Sequence, residues 1–182
     1  MNFAPQFIPH LQRWELFVGT VYQDTDGSHR QGYGHGNVNN FPPYVDASSP
    51  PITEPQAMEI LLGELNQVYV PQLMKLFEKA GFTPPNDYYF CGWLDCLYNR
   101  GYGTMTRSAA FDWLKRPEVR NFRVHAANAL TLSHVDGFEP LDVSEDKTLP
   151  IDPSTGRPGK RVYEGLTGRR ACDTALCLFE RF

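Results

Sequence analysis

The stretch from Tyr22 to Pro51 restricts the fold more than any other part of the sequence, because its composition does not favour a continuous helix. It is rich in Gly, Asn, Asp, Pro and Tyr, which favour short strands, turns and loops. Within it, Asp26-Gly27 predicts a hairpin turn. Apolar residues before it recur at helical intervals: Phe7, Leu11, Trp14, Val18 and Val21. We therefore expect a first helix over Phe7–Val21, followed by a small β-rich lobe at about residues 21–50.

The residues after this stretch return to helical patterns. Thr53 is expected to be an N-cap ahead of Glu54 and Pro55, and the apolar residues that follow recur at helical spacing. Pro71 is expected to break or kink this helix. The next helix is expected to end near Gly81, because glycine commonly terminates helices.

The second half of the chain is also predicted to be helical. Residues 89–98 are apolar and aromatic and predict a central, buried helix. Further helical tendency covers residues 108–115, 118–133 and 168–179. Residues 136–160 are polar, contain Pro and Gly, and have little periodicity, which indicates a long surface loop.

Together these elements predict an α+β, mostly helical fold in a single domain, residues 1–182. Its two lobes are the small β-rich lobe and a larger helical lobe of residues 1–20 and 51–182. A cleft between two such lobes is a natural place for a long polymer to bind.

Composition excludes several classes of function. The chain has 182 residues, of which 41% are hydrophobic, so a substantial core can form. The formal net charge of −4 argues against a nucleic-acid partner, because duplex binding needs a basic face. No apolar run approaches the ~20 residues of a membrane span. The N-terminus lacks a signal-peptide pattern, so we expect synthesis in a bacterial host cytoplasm and action at the cell wall or periplasm after release or delivery.

The cysteines do not predict a metal site. They fall in two pairs with five-residue spacing, Cys91 with Cys96 and Cys172 with Cys177. Neither pair has metal-ligand spacing, and two helical residues five apart point in different directions. Buried free thiols are therefore expected, with no metal. Arg169 and Arg170 are interpreted as structural partners for carboxylates or helix ends.

Glu15 and Asp24 are the candidate catalytic pair. Glu15 lies at the edge of an apolar helical face, where loss of solvation should raise its pKa and suit it to be a general acid. Asp24 lies at the entrance of the polar lobe and should stay ionised. Two carboxyl groups in contrasting environments are the basic equipment of a glycosidase. Their spacing alone is common and does not identify an enzyme.

Four blocks in order along the chain carry a family resemblance. They are Glu15 with Tyr22–Gly27 and Gly32–His35; Ile52–Glu54 with Gln56–Ala57; Tyr98–Gly103; and Gly165–Leu166 with Arg169, Arg170 and Asp173. In these blocks the chain resembles glycoside hydrolase family 24, the phage-type lysozymes and endolysins, over most of its length. The resemblance implies a lysozyme-like fold. It also implies hydrolysis of the β-1,4 bond between N-acetylmuramic acid and N-acetylglucosamine in peptidoglycan, without a cofactor.

The resemblance also implies roles by position. Glu15 would be the general acid that protonates the leaving oxygen. Asp24 would orient an attacking water or stabilise the oxocarbenium-like transition state, with inversion as the usual outcome of the family. Direct attack by Asp24 is the alternative, and it requires the two carboxyl groups to be only about 5–5.5 Å apart.

Arg30 departs from the family pattern. Members usually have a threonine six residues after the catalytic aspartate, where it helps to hold the attacking water, and here that position is Arg30. Arginine could keep Asp24 ionised, contact an acidic or N-acetyl group of the substrate, or fill the water site and abolish turnover. Ser28 or His29 could replace the threonine if the hairpin register shifts.

Four further residues are candidate substrate-binding residues: Tyr33, Gly34, His35 and Asn99. For His35 we favour a simpler interpretation, a histidine that is hydrogen-bonded to a carboxylate. Asn99 either lines the cleft or caps a helix that ends at Gly101.

The favoured function is therefore that of a muramidase acting on peptidoglycan glycan strands. One alternative is a catalytically weakened lysozyme fold that binds glycan or a protein partner, which Arg30 and the acidic charge suggest. Another is a hydrolase of a chitin-like polysaccharide, since both substrates contain N-acetylglucosamine. An inhibitor or immunity protein is a candidate partner, and a monomer is expected.

Overall fold

The computed structural model describes residues 2–24, 26–116, 143–145, 151–152, 157–158, 160–162 and 169. The chain divides into two compact units, one formed by Pro5–Gln72 and one by Met1–Ala4 with Leu73–Phe182. Helices predominate, and the only sheet of more than two strands among the described residues is small and antiparallel. The predicted α+β, mostly helical class is confirmed.

The first helix, α1, spans Phe7–Glu15 and buries Phe7, His10 and Leu11. The prediction that it continues to Val21 is wrong. The helix ends because Leu16 takes φ 52° and ψ 143°, which no right-handed helix contains. The following β1 spans Val18–Gln23, where β-branched residues suit a strand better than a helix.

Strand β1 begins a three-stranded antiparallel sheet in the order β1-β2-β3, with β2 at His29–Gly32 and β3 at His35–Gly36. Tyr22 pairs with Arg30 across β1 and β2, and Arg30 pairs with Gly36 across β2 and β3. The predicted Asp26-Gly27 turn between β1 and β2 is confirmed, because Gly27 adopts φ 86° and donates to the Asp24 carbonyl at 2.9 Å.

Helix α2 spans Glu54–Glu64, and its predicted N-cap is confirmed. The Thr53 hydroxyl accepts from the Gln56 N–H, while the Gln56 side chain accepts from the Thr53 N–H, which together form a capping box. A π-helical turn, Leu65–Tyr69, connects α2 directly to α3, Val70–Ala80. Of the break or kink expected at Pro71, no break occurs: a widened π-helical turn precedes the proline, and the helix continues past it.

Helix α3 ends as predicted, at Gly81 with φ 60°. Helix α4 spans Asp87–Thr106 and begins at Asn86, whose Oδ1 accepts from the Tyr89 N–H at 2.8 Å. Residues 89–97 are all buried, which confirms the predicted aromatic core helix. Gly101, with φ 74° and ψ 157°, interrupts α4 near its end.

Among its described residues, the interior of the unit that contains Leu73–Phe182 has an aromatic cluster and a buried ion pair. The Arg169 guanidinium contacts both carboxylate oxygens of Asp95, at 2.8 and 2.6 Å, which confirms the structural interpretation of Arg169. Cys91 and Cys96 are buried and free, as predicted. Burial raises the pKa of the Cys91 thiol to about 12. The other cysteine pair and Arg170 lie outside the described residues.

Helix α5 spans Ala109–Leu114, within the predicted segment 108–115. The segment 136–160, predicted to be a loop, contains strands instead. β4 at Val143–Glu145 pairs with β7 at Lys160–Val162. Between them in the sequence, β5 at Ile151–Asp152 pairs with β6 at Arg157–Pro158. The predicted helix at 118–133 lies outside the described residues, as does that at 168–179 except for helical Arg169. Across the residues that are described, no helix is both long and apolar enough to cross a membrane.

Candidate active site

Glu15 is the last residue of α1, and its carboxylate lies against the turn between β2 and β3. A β-carbon placed on Gly34 would lie only 3.3 Å from the Glu15 Oε2, and Gly34 has φ +82°. Both facts favour glycine: the backbone conformation is strained for other residues, and a β-carbon would make an unusually tight contact with the carboxylate. The sequence separates Glu15 from Gly34 widely, but the fold brings them together.

Asp24 follows β1 directly and is bound by Arg30 of β2. The Arg30 Nε donates to the Asp24 Oδ2 at 2.7 Å, a short, charge-assisted hydrogen bond. The two side chains are only 27% and 33% exposed. The carboxylate predicted to be catalytic is therefore paired with the residue that departs from the family pattern.

Further contacts fix Arg30 along its whole length. Its Nε also lies 3.4 Å from the Ser28 Oγ, and its Nη2 lies 3.5 Å from the Asp26 Oδ2. Its Nη1 donates to the Gly34 carbonyl at 3.4 Å. The aliphatic stem lies over Gly36, where a β-carbon would be 3.3 Å from the Arg30 Cγ. Arg30 thus connects Asp24 to Gly34, which in turn borders Glu15.

Tyr22 stands opposite Arg30 and within electrostatic reach of the candidate catalytic groups. Burial raises the pKa of the Tyr22 hydroxyl; the charge of Arg30 opposes this, while Asp24 and Glu15 add to it. One hydroxyl therefore responds to all three charged groups. Sequence reasoning did not assign Tyr22 a role, although its position two residues before Asp24 on one strand was a usable signal.

Tyr33 is buried and links α1 to α2. Its hydroxyl accepts from the Gln12 Nε2 at 2.7 Å and donates to the Glu54 Oε1 at 2.8 Å. The ring of Phe17 packs against it with centroids 5.9 Å apart. Burial and the bond to Glu54 raise the pKa of the Tyr33 hydroxyl. The bond from Gln12 attaches Tyr33 to α1, the helix that carries Glu15, and the bond to Glu54 attaches it to α2.

His35 is buried and makes the carboxylate contact that we favoured for it. Its Nδ1 lies 3.1 Å from the Glu64 Oε2, and its Nε2 lies 2.7 Å from the Pro43 carbonyl. Burial alone would lower the pKa of His35, but the contacts with Glu64 and Pro43 outweigh it and raise the pKa. Because both ring nitrogens face oxygen atoms, the doubly protonated ring fits best.

The Glu64 carboxylate is the centre of a buried polar network that sequence reasoning missed. The Asn39 Nδ2 donates to the Glu64 Oε1 at 2.9 Å and to the Tyr69 hydroxyl at 2.7 Å. Burial, followed by the charge of Glu64, raises the pKa of Tyr69. A glutamate on the inward face of α2 was the only sequence signal for this network.

Asn99 belongs to the other compact unit and lies on α4, two residues before the interruption at Gly101. Its substrate-binding role remains a prediction. Glu15, Asp24, Arg30, Tyr33, Gly34 and His35 all belong to the unit formed by Pro5–Gln72. Within the described ranges, no group of three or more His, Cys, Asp or Glu side chains is arranged to hold a metal ion.

Comparison with solved structures gives this arrangement a context. The chain matches the endolysin from Escherichia coli O157:H7 phage FAHEc1 with a TM-score of 0.72 and 19% identity, covering 100% of this chain and 96% of the endolysin. The muramidase domain of SpmX from Asticaccaulis excentricus matches with a TM-score of 0.68 and 18% identity, over 97% of both chains. This chain has the fold of a phage-type lysozyme.

A third solved lysozyme, from phage P22, matches this lysozyme fold with a TM-score of 0.61 and 22% identity, over 98% of this chain and 99% of the other. No protein-family model and no curated protein sequence matches the chain. The predicted resemblance to phage-type lysozymes is confirmed for the fold. At these identities the lysozyme fold is established, whereas membership of glycoside hydrolase family 24 remains a prediction.

Proposed function

We propose that the chain is a peptidoglycan-degrading muramidase that hydrolyses the β-1,4 bond between N-acetylmuramic acid and N-acetylglucosamine. The observation that carries this proposal is the connection of Glu15 to Asp24 through Gly34 and Arg30, within a lysozyme fold. The matching structures include an endolysin and a muramidase domain, which supports the same reaction. Such an enzyme acts at the bacterial cell wall.

Glu15 suits the role of general acid because it is half-buried at the end of a helix. It is the last residue of α1, where the partial negative charge of the helix C-terminus disfavours an ionised carboxylate. In the proposed step, Glu15 gives its proton to the glycosidic oxygen as the bond from that oxygen to C1 breaks. The leaving sugar then departs as a neutral alcohol.

Asp24 suits the complementary role because the Arg30 Nε donates to its carboxylate at 2.7 Å and fixes the position of that carboxylate. As general base it takes a proton from the water that attacks C1, and the remaining hydroxide becomes the hydroxyl of the new reducing end. Glu15 and Asp24 then exchange protons with solvent and return to their starting forms. Arg30 is a positioning residue, since it fixes the Asp24 carboxylate and binds the Gly34 carbonyl beside Glu15.

The test compares the wild type with Glu15→Gln on purified peptidoglycan, following loss of turbidity and identifying soluble products by mass spectrometry. Glu59→Gln is the matched control, because Glu59 is an exposed glutamate of α2. We expect muropeptides with reducing-end muramic acid from the wild type and the control. Glu15→Gln should be slower by about 10²–10⁴-fold while its melting temperature is preserved.

One observation favours a second candidate function, a lysozyme fold that retains glycan binding with weakened catalysis. The Arg30 Nε lies 2.7 Å from the Asp24 Oδ2, and Arg30 stands at the position where the family that the chain resembles usually has a smaller, water-holding threonine. If neither wild type nor Glu15→Gln releases product while both sediment with the wall, the binding function is supported and the muramidase proposal is wrong. Faster release from chitin oligomers than from peptidoglycan would instead indicate a chitin-like substrate.

A further inference from the structure

Tyr44 is an exposed aromatic residue in a loop that is otherwise firmly held. Its side chain is 59% exposed, although the next residue, Val45, is almost completely buried. A single exposed apolar residue is common in soluble proteins and needs no explanation by itself. What distinguishes Tyr44 is the number of hydrogen bonds that fix the chain around it.

The backbone is anchored on both sides of Tyr44. The Pro43 carbonyl lies 2.7 Å from the Nε2 of the buried His35. The Asn37 side chain binds both backbone groups of Val45, accepting from its N–H and donating to its carbonyl, each at 2.8 Å. The Tyr44 ring therefore projects from a preorganised segment, and a ligand that covered it would not have to order the loop.

Asn40 fixes the Tyr44 side chain as well. The Tyr44 hydroxyl donates to the Asn40 Oδ1 at 2.9 Å, and Asn40 itself adopts the left-handed conformation with φ 54°. Because its Oδ1 accepts this bond, Asn40 offers the N–H groups of its Nδ2 to a ligand. Among the described residues, no hydrogen bond from that Nδ2 is present. An exposed aromatic face thus lies beside an amide donor.

The loop that carries Tyr44 is hydrogen-bonded to the residue that follows Gly34, the glycine beside Glu15. His35, which binds Pro43, directly follows Gly34, and Gly34 borders the Glu15 carboxylate. Two contacts within one compact unit, Glu15 with Gly34 and His35 with Pro43, therefore connect the proposed general acid to the segment that carries Tyr44. A glycan strand with its scissile bond at Glu15 extends over several sugar rings. The rings on either side of that bond need further binding surface, and Tyr44 belongs to the same compact unit as Glu15.

The geometry points to a subsite at Tyr44 and Asn40 for one pyranose ring of an N-acetylated glycan strand. The C–H face of the ring stacks on the Tyr44 ring, and a sugar hydroxyl or N-acetyl carbonyl accepts from the Asn40 Nδ2. This subsite rests on the proposed function, because it takes the same glycan as its ligand.

The small apolar area argues for a sugar over a protein. Among the described residues, four large apolar side chains are exposed: Leu16, Phe17, Tyr44 and Met74. Those other than Tyr44 belong to α3 or to the segment after α1. A protein interface needs a larger apolar core than one ring. A pyranose presents an apolar face of about the size of that ring, with a polar rim, and so matches Tyr44 with Asn40.

The experiment measures binding of a soluble N-acetylglucosamine hexamer by titration calorimetry, in a Glu15→Gln parent so that hydrolysis does not interfere. We expect Tyr44→Ala to raise the Kd about five- to tenfold, and Tyr44→Trp to stay within about twofold of the parent. Asn40→Asp keeps an acceptor for the Tyr44 hydroxyl but removes the amide donor, and should raise the Kd about two- to fivefold.

Met74→Ala is the matched control, since Met74 is an exposed apolar residue of α3 and should leave the Kd unchanged. In the chain with Glu15 intact, Tyr44→Ala should raise KM for peptidoglycan with little change in kcat.

The outcomes for the subsite and for the proposed hydrolysis can be told apart. If the wild type hydrolyses peptidoglycan and Tyr44→Ala changes neither Kd nor KM, the subsite is wrong and the muramidase proposal is unaffected. Tyr44-dependent binding by a chain that hydrolyses nothing would support the subsite and overturn the proposed hydrolysis. If the Glu15→Gln parent does not bind the hexamer, the subsite is wrong.

Discussion

The Arg30 guanidinium binds the Asp24 carboxylate with 2.7 Å between Nε and Oδ2, at the sequence position where phage-type lysozymes usually have a threonine. The same guanidinium reaches the Gly34 carbonyl, and Gly36 leaves room for its stem. An arginine at this position therefore has specific partners in the connection between β1 and β2 and in the turn between β2 and β3. These contacts are the reason for assigning Arg30 a positioning role instead of treating it as an obstruction.

Replacing Arg30 by threonine should lower activity much more than stability. Because the ion pair is partly exposed, its loss should change the free energy of unfolding by about 0–1 kcal/mol. Misplacement of the Asp24 carboxylate should lower kcat by on the order of 10²-fold. Urea unfolding and peptidoglycan turnover measure the two effects. Arg13→Thr, which removes an exposed arginine of α1, is the control. Equal or higher activity in Arg30→Thr would mean that Arg30 obstructs the water site.

Gly34→Ala should displace Glu15, and Gly27→Ala provides a matched control. Both glycines have φ above +80°, so alanine should cost a similar amount at each, about 1–2 kcal/mol. The added methyl group would lie 3.3 Å from the Glu15 Oε2 at position 34, but 4.0 Å from the nearest atom at position 27. We therefore expect similar urea midpoints, with turnover reduced about tenfold or more only in Gly34→Ala. Equal turnover in the two variants would contradict the proposed role of Glu15.

The contact of His35 with Glu64 should make stability depend on pH. The folded-state pKa of His35 is raised, so its contribution is fully present below the unfolded value, about 6.5, and is lost as pH rises through the folded value. Urea unfolding of wild type and His35→Gln between pH 6 and 9 measures this difference. We expect the wild type to be more stable by about 3–5 kcal/mol at the acidic end, with the gap narrowing as pH rises. Parallel stability curves would mean that the pKa of His35 is the same in the folded and unfolded states, and a gap that widens with pH would mean that the ring is neutral in the folded protein.

Leu16→Gly should stabilise the chain. Leu16 adopts φ 52° and is 65% exposed, so its side chain adds little packing while its backbone is strained. Relief of a positive φ is worth about 1–2 kcal/mol, from which the greater freedom of unfolded glycine subtracts about 0.5–1 kcal/mol. The net gain should be roughly 0.5–1 kcal/mol by urea unfolding. Leu16→Ala keeps the β-carbon and should not raise the free energy of unfolding. Equal stabilisation by both variants would show that the exposed apolar side chain, and not the strained backbone, destabilises the folded chain at this position.

The features that the sequence predicted correctly are those that a few neighbouring residues determine. Thr53 with Gln56 forms a capping box, and Gly27 and Gly81 occupy the left-handed conformations for which glycine is suited. The buried run of α4 follows from an unbroken apolar and aromatic segment. In each case the physical cause lies within a few residues of its effect.

The features that were missed depend on contacts between distant residues. Val18 and Val21 continue the helical spacing of α1, but pairing of β1 with β2 overrides that spacing. The network of Glu64 with Asn39 and His35 joins α2 to β3 and to the segment between them, and no local sequence pattern predicts this network. The contact of Glu15 with Gly34 likewise joins residues that are not neighbours in the sequence, and no local pattern predicts it.

The contacts that connect Glu15 to Asp24 through Gly34 and Arg30 all lie between residues 15 and 34, a short stretch of the chain. Closing a short loop sacrifices little chain entropy, and short-range contacts form early in folding. During synthesis, this stretch leaves the ribosome while most of the helical unit is still untranslated. Positioning the two carboxylates therefore requires only the closure of short loops within this stretch.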